Sequence, residues 1–190
     1  MMMDVNDVNK GHAAMEPGAL VVKGDGLEKD LWLNPSEWTL ENQALSTGYF
    51  STNNHLGFHK VLKVVGYPLV EVLQRAGLTH EDVTITFISA DDLTWQTTLS
   101  ALQARVNHLQ LTAHFQQPAP PMIGLYVVQL YDSQEPAPPV TWQDLPVTEE
   151  DYDPLRPRIY FGQQPGNPSD ENQPSFVGNL LRIQVEGITP

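Results

Sequence analysis

His55 and His59 stand four residues apart, the spacing that turns two imidazoles toward one metal on a helix, but Leu56-Gly57-Phe58 between them lacks the glutamate of a zinc-protease motif. On extended chain the pair would sit about 13 Å apart, too far to share an ion. Solvated or hydrogen-bonded histidines are the expectation. Asp91-Asp92 offers paired carboxylates for acid and base work, yet neighbours on extended chain point opposite ways, so a solvated turn is expected there. The acidic run Glu149 to Asp153 lacks the spaced aspartates and glycine of a calcium loop and reads as solvated charge. Ser, His and Asp are all present without a Gly-x-Ser-x-Gly elbow, which leaves a hydrolase triad unsupported. Cysteine is absent, which excludes disulfides, thiolate metal sites and thiol nucleophiles together.

The 190 residues, 41% of them hydrophobic, suffice for one domain with a sizeable core. A net charge of -13 repels polyanions, so nucleic acid and anionic membrane surfaces are unlikely partners by electrostatics. The longest apolar stretch, Met122 to Tyr131, is half the length of a membrane-crossing helix, so no transmembrane segment is expected. Residues 1–18 are polar and read as a flexible leader without a secretory signal; residues 19–190 read as the domain.

The elements that must position any site are short and mixed. Ala19 to Gly24 and Leu31 to Leu33 read as a hairpin across Gly24-Asp25-Gly26. Asn34-Pro35-Ser36-Glu37 starts a short helix through Leu40. Leu45 to Phe50 and His59 to Val65 are extended, flanking a polar loop from Ser51 to His55. Gly66-Tyr67-Pro68 opens a helix with Leu69, Val72, Leu73 and Ala76 on one face and Gly77 as its stop. Val83 to Ser89 alternates as a strand with Val83, Ile85 and Phe87 on one side. A strand from Thr94 to Leu99, a helix from Ser100 to Val106 and a strand from Leu109 to Phe115 follow. Between the proline clusters 118–121 and 136–139 lies one good strand. Asp153, Pro154 and Pro157 read as exposed loop, then Ile159 to Phe161 and Leu180 to Val185 as strands. Trp32, Trp38 and Trp95 read as packing residues, with Trp142 standing apart in the proline-bounded segment.

The order of these signals resembles the molybdopterin-binding domain of the sulfite oxidase family. The residues carrying it are Gly66 to Leu69, Ala76-Gly77, Ser89 to Asp91, and Arg182 to Val185. The resemblance implies an α+β fold, a β-rich mixed sheet or barrel-like domain with a few short helices, and an insertion at about 116–157. It also implies a cysteine ligand to molybdenum in the region matching Ser51, Thr52, Asn53 and Asn54, where this chain has hydroxyls and amides. Basic residues for the pterin phosphate would come from the loop before the final strand, here Ser175-Phe176-Val177-Gly178-Asn179 without a lysine; Arg158 and Arg182 are the nearest cations in sequence.

The expectation is accordingly a degenerate, non-catalytic pterin-binding, ligand-binding or interaction module, with a remnant pocket at Ser51 to His55, Arg158 and Asn179. No metal ligand is expected, and no cofactor as purified, with molybdopterin the one the resemblance allows. Two alternatives stay open: a molybdenum cofactor-dependent oxidoreductase with an oxygen ligand, and a structural partner-binding protein using the proline-bounded segment. The family resemblance also implies an extracytoplasmic setting, periplasmic or secreted.

Overall fold

A computed structural model describes residues 13–109, 116–135, 137–138 and 140–188, apart from the Pro174 side chain. Its strands are β1 (Leu20–Lys23), β2 (Leu31–Leu33), β3 (Ser46–Asn53), β4 (His59–Pro68), β5 (Val83–Ser89), β6 (Thr94–Thr98), β7 (Val106–Asn107), β8 (Gln117–Pro118), β9 (Met122–Ser133), β10 (Asp153–Tyr160) and β11 (Leu180–Gly187). The helices are α1 (Leu69–Arg75) and α2 (Leu99–Gln103), which together with the strands make a β-rich α+β fold. One sheet runs β2-β1-β11-β5-β6, the other β10-β9-β4-β3, and β7 pairs with β8. β1 and β11 are parallel and the remaining pairs are antiparallel, so the first sheet is mixed and neither sheet closes on itself.

The alternation in Val83–Ser89 does what period two requires: Val83, Ile85 and Phe87 are fully buried while Thr84, Thr86 and Ile88 are partly exposed. They meet Leu20 and Val22 of β1, Ile183 and Val185 of β11, and Leu62, Val64, Ile123 and Leu125 of the other sheet in one core. α1 adds Leu69, Val72, Leu73 and Ala76, spaced for one helical face and all buried. Each of the three larger side chains contributes roughly 1.5–3 kcal/mol by leaving water. Gly77 ends the helix at φ +76, and a Cβ there would meet Glu28 Cβ at 2.7 Å, so both backbone and space demand glycine.

Several expectations are corrected. The helix expected through Leu40 is a single 3-10 turn, Pro35–Glu37, because Trp38 leaves the helical region at ψ 60. Its capping box between Asn34 and Glu37 forms as expected. The polar stretch at Ser51 is no loop: β3 continues to Asn53, and only Asn54 onward turns, with Asn54 Oδ1 accepting from the Leu56 and Phe58 N–H groups. Asp153, Pro154 and Pro157 belong to β10, where an edge position tolerates residues without an N–H.

The segment 116–157 supplies β9, which lies between β10 and β4 inside the second sheet. The strand expected from Leu109 to Phe115 falls on residues 110–115, outside the described residues; Leu109 itself is buried. Of the expected leader, residues 13–18 are described and run beside β2: Ala13 C=O accepts from Trp32 Nε1 at 2.7 Å and Ala14 C=O from Asn34 Nδ2 at 3.0 Å.

Candidate functional site

The expected pocket residues occupy two places. Ser51, Thr52 and Asn53 lie on β3, 1%, 1% and 3% exposed. Ser51 Oγ donates to Gln163 Oε1 at 2.7 Å and accepts from the His108 N–H at 2.7 Å. Asn53 Nδ2 donates to Pro168 C=O at 2.7 Å, and Gln163 Nε2 donates to Pro168 and Asp170 C=O groups. Asn172 Nδ2 donates to Phe161 C=O at 3.0 Å and to Ser51 C=O at 3.3 Å. Arg105 closes the rim, 2.7 Å from Asp170, whose carboxylate also accepts from the Gln164 N–H. The result is an interior polar network in which most of the buried amide and hydroxyl groups are paired, as burial requires.

That geometry does not fit a metal ligand. The Ser51 hydroxyl is occupied on both its donor and acceptor sides and has no opening to a ligand. Thr52 Oγ1 and Asn53 Oδ1 are buried without partners, and are equally withdrawn from solvent. His55 is exposed on the turn after β3. His59 is half-buried: its Nδ1 is withdrawn from solvent without a partner, and desolvation pulls its pKa below the ordinary histidine value. Among the described residues no three His, Asp or Glu side chains converge to hold an ion.

Arg158 and Asn179 come together elsewhere, in a cleft of about 420 Å³ between β6, β10 and the loop before β11. Trp95 and Phe176 form its apolar wall, with Asp91 at the rim. Trp95 stacks on Phe161 at 4.7 Å and on Phe87 at 5.8 Å, and Phe176 meets Phe161 edge-on at 4.9 Å. The Arg158 guanidinium makes no hydrogen bond or ion pair with any described residue. It lies against Gly178, where a Cβ would stand 2.7 Å from Nε and from a terminal nitrogen. Asn179, at φ 50, accepts from Arg156 through its side chain and from the Ala90 N–H through its carbonyl. Next to the cleft, burial pushes the Tyr160 hydroxyl up to about 12, with Arg158 pulling the other way.

The remaining candidates are structural. Asp91 accepts from Ser89 Oγ, and Asp92 adopts φ 64 to complete the expected turn. Glu149–Asp151 is an exposed 3-10 turn capped by Thr148. Trp142 is buried with Nε1 donating to Leu109 C=O at 3.0 Å, so it packs as the other tryptophans were expected to. Sequence reasoning missed Asn107, His108, Gln163 and Asn172. Their types are ordinarily exposed, and nothing in their spacing marks them as interior.

No helix among the described residues is long and apolar enough to cross a membrane. No family model matches the sequence, and no curated protein matches it.

Proposed function

We propose that this chain is a non-catalytic binding module, of the molybdopterin-binding-domain kind that its sequence resembles, and that its ligand is a small planar anion seated in the Arg158 cleft. The observation that carries this is the Arg158 guanidinium, without a hydrogen-bond or ion-pair partner among the described residues, in a cleft lined also by Trp95 and Phe176. An arginine in a half-enclosed site, with no ion pair to a described residue, offers a fork of donors to a carboxylate or phosphate. The flat walls add stacking area for a ring system such as a pterin. The Ser51 hydroxyl is already bonded as donor and acceptor, which supports a binding role over an oxidoreductase ligated at that oxygen.

The test is protein made in a host that synthesises molybdenum cofactor, assayed for metal by elemental analysis and for pterin by fluorescence after acid oxidation. Pterin without stoichiometric molybdenum, lost in Arg158→Ala, is the expected outcome. Stoichiometric molybdenum would overturn the reading. Equal ligand retention by the variant would remove the cleft from it.

A further inference from the structure

β3 is an edge strand of the second sheet, and its outward backbone groups belong to the odd-numbered residues. They form successive acceptor and donor pairs, each the size of one amide. Asn107 fills one pair, its Nδ2 donating to Tyr49 C=O and its Oδ1 accepting from the Ser51 N–H at 3.0 Å. Asn172 fills the next, its Nδ2 donating to Ser51 C=O and its Oδ1 accepting from the Asn53 N–H at 3.2 Å. Two side-chain amides thus stand where a parallel neighbouring strand would place its peptide units. The preceding pair, Thr47 C=O and Tyr49 N–H, has no partner among the described residues, and neither does the Thr47 N–H.

This open stretch faces a groove of about 430 Å³ lined by Ser46–Phe50. Pro118 and Pro120 of the opposite wall carry no N–H, so at those positions the wall cannot donate to β3. Phe50 and Met122 give the groove an apolar floor, and Glu71 supplies a carboxylate without an ion-pair partner among the described residues. With the chain at -13, a second copy is repelled and a basic partner is drawn in.

We propose that the amino-terminal half of β3 receives an extended basic peptide as an added parallel strand. One peptide N–H donates to Thr47 C=O, the carbonyl of the same residue accepts from the Tyr49 N–H, and the carbonyl two residues earlier accepts from the Thr47 N–H. Apolar side chains of the peptide enter the groove and a lysine or arginine meets Glu71. Asn107, already seated on the next pair, ends the pairing, so the recognised segment is short. This is strand addition to a sheet edge, in which backbone bonds supply affinity and alternate side chains supply selectivity. The site is separate from the Arg158 cleft and does not depend on it.

The probe is the capped tetrapeptide Lys-Val-Lys-Val, titrated into the full isotopically labelled chain and followed by amide hydrogen exchange. At saturation the Thr47 and Tyr49 amides should exchange about tenfold more slowly, and N-methylation of the probe backbone should weaken binding about tenfold, one hydrogen bond's worth. The capped Glu-Val-Glu-Val peptide should bind more weakly than the lysine probe. Thr47→Pro removes an outward N–H and no ladder bond, and should keep the thermal midpoint while losing the probe. If that variant fails to fold, Glu71→Lys gives the independent check by reversing the preference between the two peptides. Absence of binding at about 1 mM probe, or equal binding of the N-methylated probe, overturns the proposal. So does a dimer in sedimentation with both amides protected before any peptide is added.

Discussion

The interior network around Ser51 and the cleft around Arg158 are joined through one residue, Phe161, and treat polar groups differently. The Phe161 carbonyl accepts from Asn172 inside the network, while its ring stacks on Trp95 at the cleft. On the carbonyl side, most amides and the Ser51 hydroxyl pair with backbone or with one another, out of reach of solvent. On the ring side, a charged group has no partner among the described residues and faces a space large enough for a small molecule. The difference teaches that polarity in a fold is spent on stability where it is satisfied and becomes available for recognition where it is not.

That contrast can be broken most forcefully at Asn172. Asn172→Leu strands the Asn53 N–H and the Ser51 and Phe161 carbonyls in the interior, and should destabilise the chain by roughly 3 kcal/mol or more in denaturant unfolding. A loss below about 1 kcal/mol would mean that water reaches the network and that the region is not sealed. Ser51→Ala removes one donor and one acceptor and should cost about 1–2 kcal/mol, with anion binding in the cleft unchanged.

Arg158→Ala sharpens the comparison from the other side. It should shift stability by no more than about 0.5 kcal/mol, because the guanidinium has no partner to lose, while weakening a bound anion at least tenfold. Gly178→Ala should give the same pattern to a smaller degree, since the new methyl displaces the guanidinium without removing it. Equilibrium binding of a pterin or aromatic carboxylate to each variant measures both effects.

His59, opposite Asn53 in the β3–β4 register, reports on the network's outer end. Its pKa is lowered by burial, so the unfolded chain takes up a proton more readily than the folded one. Stability should therefore fall as pH drops below 6.5. In His59→Gln the part of that loss that sets in below pH 6.5 should disappear from the unfolding midpoint. An unchanged slope would locate the acid sensitivity in other groups.

Much of the frame was legible because it rests on periodicity. The α1 face, the inward set of β5, the hairpin of β1 and β2 and the Gly77 stop follow from local spacing and turn chemistry, and the structure has them at those positions. The site was legible only in fragments. Arg158 and Asn179 were expected together, and they do share a cleft; Ser51 to Asn53 were expected beside them, and they sit in the network instead. The stretch Ser51-Thr52-Asn53 reads as loop because its side chains are polar. It is strand because it pairs with Val61, Lys60 and His59 of β4, while Asn107 and Asn172, distant in sequence, bond its outer backbone edge.

The sequence by itself determined a cysteine-free acidic chain, a β-rich domain with few helices, and the faces that its strongest helix and strand turn inward. Those properties are set by composition and by neighbours a few residues apart. Tertiary structure alone decided which polar groups are satisfied. Hydrogen-bond partners such as Ser51 and Gln163, or Asn53 and Asn172, lie more than a hundred residues apart, and no local pattern encodes that meeting. Whether an amide or a guanidinium finds a partner is a property of the folded surroundings, and it separates the sealed end of β3 from its open end and the network from the cleft.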